Sequence, residues 1–517
     1  MRTHGCPSGA VETDDLVLGI AAADPVVEGE LAGVRARPFA AVPVICLAVG
    51  VAVVLVVFAG GYGYHRDELY FLVAGRHLAW GYADQGPLTP LLAHLMDSIA
   101  PGSLTVLRLP SAAMSAATVA VTSLIAAELG ARRRAQVIAA SCAAVASVVL
   151  IVGHLLSTST FDLLAWATVS WLVARIVRTA DQRLWLAVGA VVGAALLNKP
   201  LIAFLVAGLG VGIVVSGPRA SLRSGWLWAG LAVAALMWSP WLAWQSSHGW
   251  PQLGVSSSIA AGGSASSQPR WALLPFQLLL VSPVLSPVWI AGLVALFRRR
   301  PFRLFAVAWT FLVIAFLATG GKPYYLAGML PLLLAAGAIE ADAWLDRGSP
   351  RRPAALWGAI ALTGAVSALL ALPLLPARDA GPVIAMNGDV GETIGWPDLA
   401  RTVAAVYRQA GPNAVIFTAN YGEAGAIDRY GAALHLPRAY SGHNGFWYWG
   451  PPHARPGPVV AVGIRESQLR RFRGCRLAAR IESSAGVDND ERGEPIYRCA
   501  APLRPWPQIW PALRHLG

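Results

Sequence analysis

Two adjacent carboxylates, Asp67 and Glu68, follow the first long apolar stretch of the chain, within the run YHRDELY at residues 64–70. A carboxylate held against a hydroxyl can act as a general base and typically contributes ~10²–10⁴ in rate. On this interpretation Asp67 faces a cavity as the base, and Glu68 orients it or a neighbouring group. Alternatively, both acids cap the helix that follows, because carboxylates are favoured at helix N-termini.

A third acid, Asp162, opens another apolar stretch directly after Phe161. A charge at the bilayer centre costs about 2.5–3.5 kcal/mol on insertion scales, and less near the end of a span. This position therefore fits an active-site acid and a helix cap equally well, and Ser159 or Thr160 could share the capping role.

Two lysines lie in short turns between apolar stretches. Lys199 precedes Pro200, and Lys322 opens the run Lys-Pro-Tyr-Tyr that contains Tyr324 and Tyr325. The lysines could converge on an anionic lipid headgroup and neutralise the charge of a leaving phosphate. Alternatively, they snorkel to water, and the tyrosines belong to an interfacial aromatic belt.

The composition predicts a membrane protein. Of 517 residues, 56% are hydrophobic and 13% are charged, whereas soluble domains carry about a quarter charged residues. The net charge of +12 comes from short clusters of Lys and Arg between apolar stretches, which argues against nucleic-acid binding. Because about 20 apolar residues cross the hydrocarbon core, we predict an α-helical polytopic protein with about 11 transmembrane helices. The candidate spans are 39–61, 105–128, 135–153, 162–178, 184–197, 200–216, 226–244, 273–297, 302–319, 325–345 and 354–375.

The span count has one ambiguity, since 184–216 could form two tight spans or one kinked pair. Arginine clusters fall in alternate loops, which predicts a multi-pass plasma-membrane protein whose N-terminus is cytoplasmic. Residues 1–38 then form a disordered cytoplasmic tail, 39–375 the transmembrane domain and 376–517 an extracytoplasmic domain. The cations expected on the outer face are Arg66, Arg76, Arg108, Lys199, Arg270 and Lys322.

The first outer loop, residues 62–104, is too polar to span. Its apolar residues recur at helical spacing over Glu68–Ala79 and Leu88–Ile99. These patterns predict two interfacial helices, each with one face in lipid.

The C-terminal residues alternate helical and strand patterns, which predicts a small α/β unit. Cys475 and Cys499 lie at matching ends of the last two predicted strands on the oxidising side, so we expect a disulfide. Two free thiols are the alternative. The aromatic run at residues 442–449 is interpreted either as a sugar-stacking surface or as packing against the membrane domain.

The sequence contains no phosphate-binding glycine loop, no zinc signature and no Ser/His/Asp arrangement. The promising residues all fall on the predicted outer face, where nucleotide sugars are not expected. An activated substrate should therefore arrive within the membrane.

Over residues 40–345 the chain resembles polyprenyl-phosphate-sugar transferases of the GT-C class, in particular the family 39-like group of protein O-mannosyltransferases and the lipid A aminoarabinose transferase. The resemblance depends on the order and spacing of four motifs: Asp67-Glu68, Asp84-Gln85-Gly86-Pro87-Leu88, Phe161-Asp162, and Lys322-Pro323-Tyr324-Tyr325.

The resemblance implies an inverting transfer in which Asp67 deprotonates an acceptor hydroxyl and polyprenyl phosphate leaves. It also implies that Lys199, Lys322 and Arg270 hold the phosphate. Relatives often carry Lys where this chain has Gln85 and Gly86, so the resemblance implies that one phosphate contact is removed here.

The remaining substrate-binding assignments are His65, Gln85, Tyr324 and Tyr325. The expected partners are a polyprenyl-phosphate-sugar donor, the lipid bilayer and an envelope glycan, lipid or protein acceptor, with no nucleic acid. Some relatives use a divalent cation, and no ligand cluster in the sequence decides its use. The competing interpretations are a transporter or flippase of polyprenyl-linked sugars and an inactive scaffold for envelope assembly.

Overall fold

A computed structural model describes residue 1 and residues 37–264, 266–453 and 457–517. The predicted disordered tail, residues 1–38, falls almost entirely outside these described residues. Helices dominate the part that precedes the C-terminal unit. They are α1 (Ala41–Phe58), α2 (Arg66–Arg76), α3 (Leu88–Ile99), α4 (Leu104–Glu128), α5 (Arg133–Val145), α6 (Ser147–His154), α7 (Thr158–Thr179), α8 (Leu184–Leu196), α9 (Ile202–Ser216), α10 (Gly225–Ser247), α11 (Pro251–Ala260), α12 (Leu273–Val281), α13 (Ser286–Arg298), α14 (Arg303–Thr319), α15 (Leu330–Asp346) and α16 (Arg351–Ala371).

Seven helical segments among the described residues are long and apolar enough to cross a membrane, or nine if two bent pairs are counted as spans. The helices α8 and α9 are apolar but shorter. They pack against different partners, α8 against α10 and α9 against α14. They are therefore two separate helices, and the count of eleven spans remains a prediction.

Two predicted straight spans are broken. The 135–153 segment bends by 52° between α5 and α6, where Ala146 adopts an extended backbone. The 273–297 segment bends by 115° between α12 and α13. Ser282 has φ +149° and precedes Pro283, which lacks an N–H and disfavours a helical conformation in the residue before it.

Glycines allow the closest helix contacts in the membrane part. A Cβ at Gly292 of α13 would lie 2.0 Å from the Leu333 carbonyl oxygen of α15, and one at Gly337 would lie 1.9 Å from the Val288 carbonyl oxygen. Small residues let helix backbones approach in membranes, where apolar surface gives little driving force for association. These glycines therefore fix the contact between α13 and α15.

Ion pairs join helix ends on the side of the bundle away from the first outer loop. Arg178 Nε lies 2.5 Å from Glu128 Oε2, and Arg299 Nη2 lies 3.1 Å from Glu340 Oε1. Arg134 pairs with Asp342 near the end of α15. Arginines from three of the predicted cytoplasmic clusters therefore share one end of the molecule.

The first outer loop differs from its prediction. Residues Glu68–Gly75 of α2 are all buried, because helix α19 (Tyr421–Tyr430) packs on them. The interpretation of α2 as an interfacial helix with a lipid face is therefore wrong. Helix α3 does leave Leu91, Leu95 and Ile99 exposed on one face, as an interfacial helix requires.

The C-terminal residues form an α/β unit. Its strands are β1 (Val415–Thr418), β2 (Ala439–Ser441), β3 (Val459–Val462), β4 (Phe472–Arg473), β5 (Arg476–Arg480), β6 (Pro495–Cys499) and β7 (Ala501–Pro502). One sheet has the order β2-β1-β3-β6-β5, with β1 parallel to β2 and β3, and β6 antiparallel to β3 and β5; β4 pairs with β7 separately.

Short helices complete the C-terminal unit. The further helices are α17 (Gly381–Met386), α18 (Trp396–Ala410), α20 (Asn444–Tyr448), α21 (Glu466–Leu469) and α22 (Trp506–Ile509). Cys475 and Cys499 form a disulfide beside β5 and β6. One apolar core contains both Leu69 of α2 and Ile416 of β1, so the unit and the outer loop are packed as one body.

Candidate active site

The adjacent acids at the start of α2 have different surroundings. Glu68 is fully buried and accepts two hydrogen bonds of 2.8 Å from the guanidinium of Arg108, which is 1% exposed. The same carboxylate accepts from the backbone N–H groups of His65 and Leu156, each at 2.8 Å. Glu68 therefore caps α2 and neutralises a buried arginine, with no lone pair turned toward a substrate.

Asp67 faces the opposite way. The Tyr421 hydroxyl of the C-terminal unit donates to Asp67 Oδ1 at 2.8 Å. Burial alone would raise the pKa of Asp67, but His65, the Tyr421 hydrogen bond, Arg66 and Lys322 outweigh it and hold the pKa below its usual value. Asp67 is therefore an ionised carboxylate, fixed in orientation by a residue from the other end of the chain.

An apolar compartment of about 1200 Å³, including its open mouth, begins at Asp67 and His65 and extends between the membrane helices. Its walls come from α6, α7, α12 and the segment before α15. The apolar lining includes Val148, Ile151, Leu155, Trp166, Phe276 and Leu280. This composition suits an isoprenoid or acyl chain.

A polar compartment of about 1130 Å³, including its open mouth, lies on the other side of Asp67. It contains both predicted lysines, Lys199 and Lys322, together with Asp84. The C-terminal unit contributes Tyr421 and Asn444 to its wall. The residues that line both compartments are Asp67, Ser157, Ser159, Leu201, Tyr324 and Tyr325.

The two lysines share one pair of aromatic rings. Lys199 Nζ lies 5.8 Å from the Tyr324 ring centroid and 5.2 Å from that of Tyr325, and Lys322 Nζ lies 5.9 Å from that of Tyr324. Lys322 also donates to the Ser264 hydroxyl at 2.9 Å. These contacts hold two cations at the boundary between the compartments.

The lysines differ in their affinity for a proton. Burial alone would lower the pKa of Lys199, but Tyr324, Tyr325, Asp162 and Asp67 outweigh it and raise the pKa above the usual value. Burial and the charge of Lys199 lower the pKa of Lys322 to about 8. Lys199 is thus a permanent cation, whereas Lys322 loses its charge in moderately alkaline solution.

Asp162 is 6% exposed near the start of α7 and lines the apolar compartment. Neither carboxylate oxygen has a hydrogen-bond partner within the described part of the chain. The α7 cap comes instead from Ser157, which accepts from the Ser159 N–H at 3.1 Å. The hydrogen bonds therefore leave Asp162 without a capping role.

Asp84 is a site residue that the sequence reasoning did not select. It accepts from the Tyr70 hydroxyl at 2.9 Å and from Asn444 Nδ2 at 3.2 Å. Burial raises the pKa of Asp84 to about 6. Asp84 lies within the DQGPL motif, which is the sequence signal that could identify it.

Several other predicted residues line the compartments. His65 lines the apolar compartment and caps α2 by accepting from the Asp67 N–H at 3.2 Å. Gln85 is 3% exposed and lines the polar compartment.

Arg270 is exposed in a short 3-10 helix before α12 and lines neither compartment. It is thus separated from the other predicted phosphate contacts. Within the described ranges, no three His, Cys, Asp or Glu side chains gather in a way that could hold a metal ion.

Comparison with known proteins gives one family match. Residues 84–244 match the family model of dolichyl-phosphate-mannose-protein mannosyltransferases. This range contains Asp84, Gln85, Asp162 and Lys199. No curated protein sequence matches the chain.

Solved structures of ArnT from Cupriavidus metallidurans are similar to this chain. The form bound to undecaprenyl phosphate has a TM-score of 0.56 at 13% identity, and the apo form has 0.55 at 14%. Both alignments cover 88% of this chain and 97% of that chain. The S. cerevisiae protein O-mannosyltransferase Pmt1-Pmt2 complex with bound sugar donor aligns at 18% identity over 43% of this chain and 36% of that chain, with a TM-score of 0.35.

At these identities the likeness to ArnT establishes a shared fold. The mannosyltransferase family match covers the part of the chain that supplies Asp162 and Lys199 to the site. The chain therefore has the multi-helix membrane fold of ArnT, and its residues 84–244 match the dolichyl-phosphate-mannose-protein mannosyltransferase family model.

Proposed function

We propose that this protein transfers a sugar from a polyprenyl-phosphate donor to an acceptor hydroxyl, with Asp67 as the general base. The observation that carries the proposal is the position of Asp67 on the wall shared by an apolar and a polar compartment. A carboxylate there can reach a hydroxyl in the polar compartment while a lipid tail occupies the apolar one.

The donor would place its polyprenyl chain in the apolar compartment and its phosphate at the boundary. Lys199 and Lys322 stand at that boundary with the rings of Tyr324 and Tyr325. The ArnT structure with undecaprenyl phosphate shows that a protein of this fold takes such a lipid. This donor chemistry therefore fits the two compartments and their cations.

The reaction would be a single displacement. Asp67 takes the proton of the acceptor hydroxyl, whose oxygen attacks the anomeric carbon. The bond from that carbon to the phosphate oxygen breaks, and the electron pair stays on the polyprenyl phosphate. One displacement inverts the anomeric configuration.

Charge complementarity would supply the remaining stabilisation. The negative charge that develops on the leaving phosphate would lie near Lys199 and Lys322, and fixed cations in a water-poor site interact with it strongly. Asp162 adds to the raised pKa of Lys199, so we assign it the role of keeping that lysine charged and positioned.

The site would lie on the outer face of the plasma membrane. Ion-paired arginine clusters occupy the far end of the bundle, and cytoplasmic loops carry the excess of Arg and Lys. The C-terminal unit packs on the first outer loop at the other end. The N-terminus would then be cytoplasmic.

The test is transfer of label from radiolabelled polyprenyl-phosphate mannose, and separately arabinose, into membranes that contain the protein. We expect transfer by the wild type and a loss of roughly tenfold or more in Lys199→Met and Lys322→Met, because a contact to a charged group contributes about 1.5–3 kcal/mol. The matched control is Arg270→Met, which removes an outer cation that lines neither compartment. Equal losses in all three variants, or no transfer of either sugar by the wild type, would contradict the proposal.

A further inference from the structure

A separate opening of about 480 Å³, including its open mouth, lies between the first outer loop, the end of α10 and helix α20. We call it the aromatic cleft and define it by His77, Trp244, His248, Tyr448 and Trp449. Its enclosed part measures about 190 Å³, below the roughly 300–1,000 Å³ of a full small-ligand pocket, so it can take only part of a ligand. The proposed donor transfer assigns no role to it.

The walls of the aromatic cleft are stacked rings with polar edges. His77 stacks on Trp449 with centroids 4.6 Å apart, and Trp244 stacks on His248 at 4.0 Å. The Tyr448 hydroxyl accepts a hydrogen bond from Arg514, whose guanidinium lies 5.3 Å from the Tyr448 ring centroid. Flat apolar faces edged by hydrogen-bonding groups match a sugar ring, which has C–H faces and an equatorial rim of hydroxyls.

Only two short backbone segments separate the aromatic cleft from the polar compartment. Tyr82 and Ala83 line the cleft, whereas the next two residues line the polar compartment. Gly445 lines the cleft, and the preceding Asn444 lines the polar compartment. The cleft is therefore the neighbour of the polar compartment on the side of Asp84, remote from the apolar compartment.

A row of aromatic rings connects the cleft to the proposed base. Tyr421, which donates to Asp67, has its ring centroid 4.9 Å from that of Tyr70. The Tyr70 centroid lies 6.1 Å from that of Trp449, which stacks on His77. The buried Tyr70 ring thus belongs to the wall between the cleft and Asp67, so an acceptor seated in the cleft would reach Asp67 around these rings.

The aromatic run at residues 442–449 is divided between packing and cleft. Trp447 exchanges hydrogen bonds with Trp510, each indole N–H donating to the other residue's carbonyl at 2.9 and 3.0 Å. Tyr448 and Trp449 instead line the open cleft and stay partly exposed. Trp80, outside the cleft, is 61% exposed, as expected for an interfacial belt residue.

We propose that the aromatic cleft binds a saccharide portion of the acceptor, so that the acceptor is a glycan whose terminal hydroxyl enters the polar compartment. The proposal rests on the proposed transferase function and deepens it by naming the acceptor class. The donor lipid and the acceptor glycan then approach Asp67 from opposite sides, so that neither has to cross the other's compartment.

The experiment follows labelled sugar from radiolabelled polyprenyl-phosphate mannose and arabinose into membranes, then fractionates the product. Protease digestion, organic extraction and mild alkaline release distinguish protein-bound, simple lipid-bound and glycan-bound label. Wild type, Trp244→Ala and His248→Ala are compared with Trp80→Ala, and binding of undecaprenyl phosphate is measured for each. The His248 side chain is exposed, so we expect His248→Ala to fold. This variant alone tests the proposal if Trp244→Ala does not fold.

We expect label in a glycan that resists protease and survives alkaline release as an oligosaccharide. We expect at least fivefold lower transfer in His248→Ala and Trp244→Ala, with undecaprenyl phosphate binding and Trp80→Ala transfer unchanged. Asp67-dependent label that is released by protease or extracted as simple lipid would overturn the acceptor proposal while leaving the transferase intact. Unchanged transfer by folded cleft variants would also overturn it, and absence of transfer by the wild type would overturn both proposals.

Discussion

Asp67 and Glu68 are adjacent on α2, but their side chains point into different environments. Glu68 balances Arg108 inside the protein, whereas Asp67 reaches the compartments and Tyr421. The sequence could identify the pair, because two acids directly after an apolar stretch are unusual. It could not divide their roles, because Arg108 is 40 positions away from Glu68 and Tyr421 is 354 away from Asp67.

Replacing Glu68 with Gln should lower the stability of the fold. Removing one partner of a buried ion pair leaves an uncompensated charge and costs about 3–5 kcal/mol. We expect Glu68→Gln to lower the temperature of unfolding in detergent and the yield of monodisperse protein. Asp67→Asn is the matched control on the same helix and should unfold like the wild type. A Glu68→Gln protein of wild-type stability with lost transfer would instead give Glu68 a direct chemical role.

The pH dependence of transfer should reflect Lys322. Its pKa is lowered to about 8 by burial and by Lys199, so the cation is present below that pH and is lost as the pH rises through it. We expect kcat/KM for the donor to fall above about pH 8 and the fall to move to higher pH in Lys322→Arg, because arginine stays protonated. Asp67, whose pKa lies below its usual value, should produce no acid limb near neutrality. A profile of the wild type that stays flat to pH 9.5 would contradict this assignment.

At the scale of elements, helix location was predictable and helix shape was not. Apolar segments such as 354–375 correspond to observed helices, here α16 (Arg351–Ala371), because hydrocarbon thickness sets the length of an apolar run. The helix break at Ala146 occurs at a residue that is neither Pro nor Gly, so the residue type gives no indication of it. The tertiary structure therefore determines where this helix breaks. Burial of α2 could not be inferred from its own sequence, because α19 covers it from a distant part of the chain.

The contact of α13 with α15 should depend on Gly292. A side chain there would collide with the Leu333 carbonyl and the Gly337 N–H, and overpacking typically costs about 1–3 kcal/mol. We expect Gly292→Leu to lower the unfolding temperature in detergent. Gly358→Leu on α16 is the control, because a Cβ at Gly358 meets no atom within 4 Å. Equal stability of the two variants would show that this helix contact does not require the glycine.

At the scale of the molecule, the C-terminal unit contributes side chains to the proposed catalytic site. Arg66 beside the proposed base pairs with Asp490 at 3.1 Å and Glu392 at 3.4 Å, both from that unit. Tyr421 of the same unit donates to Asp67. The sequence predicted an α/β unit on the same side of the membrane as the site. It could not predict the contacts of that unit with Arg66 and Asp67, because the partners lie more than 300 residues apart and produce no local sequence pattern.

Replacing Tyr421 with Phe tests this coupling. The hydroxyl hydrogen bond lowers the pKa of Asp67, so its loss should raise that pKa and move the acid limb of transfer to higher pH by up to about 1 unit. The measurement is the pH profile of transfer by the wild type and Tyr421→Phe, with Tyr407→Phe as a control whose hydroxyl donates to the Pro412 carbonyl at the surface. A lower rate with an unshifted profile would indicate a structural role alone.

The central claim is that Asp67 activates the acceptor. It is tested most directly by measuring label transfer and undecaprenyl phosphate binding on the same preparations of wild type and Asp67→Asn. We predict that Asp67→Asn binds the lipid phosphate like the wild type and unfolds at the same temperature, while its transfer falls by a factor of roughly 10² or more. Folded Asp67→Asn protein that transfers sugar at near the wild-type rate would contradict the account.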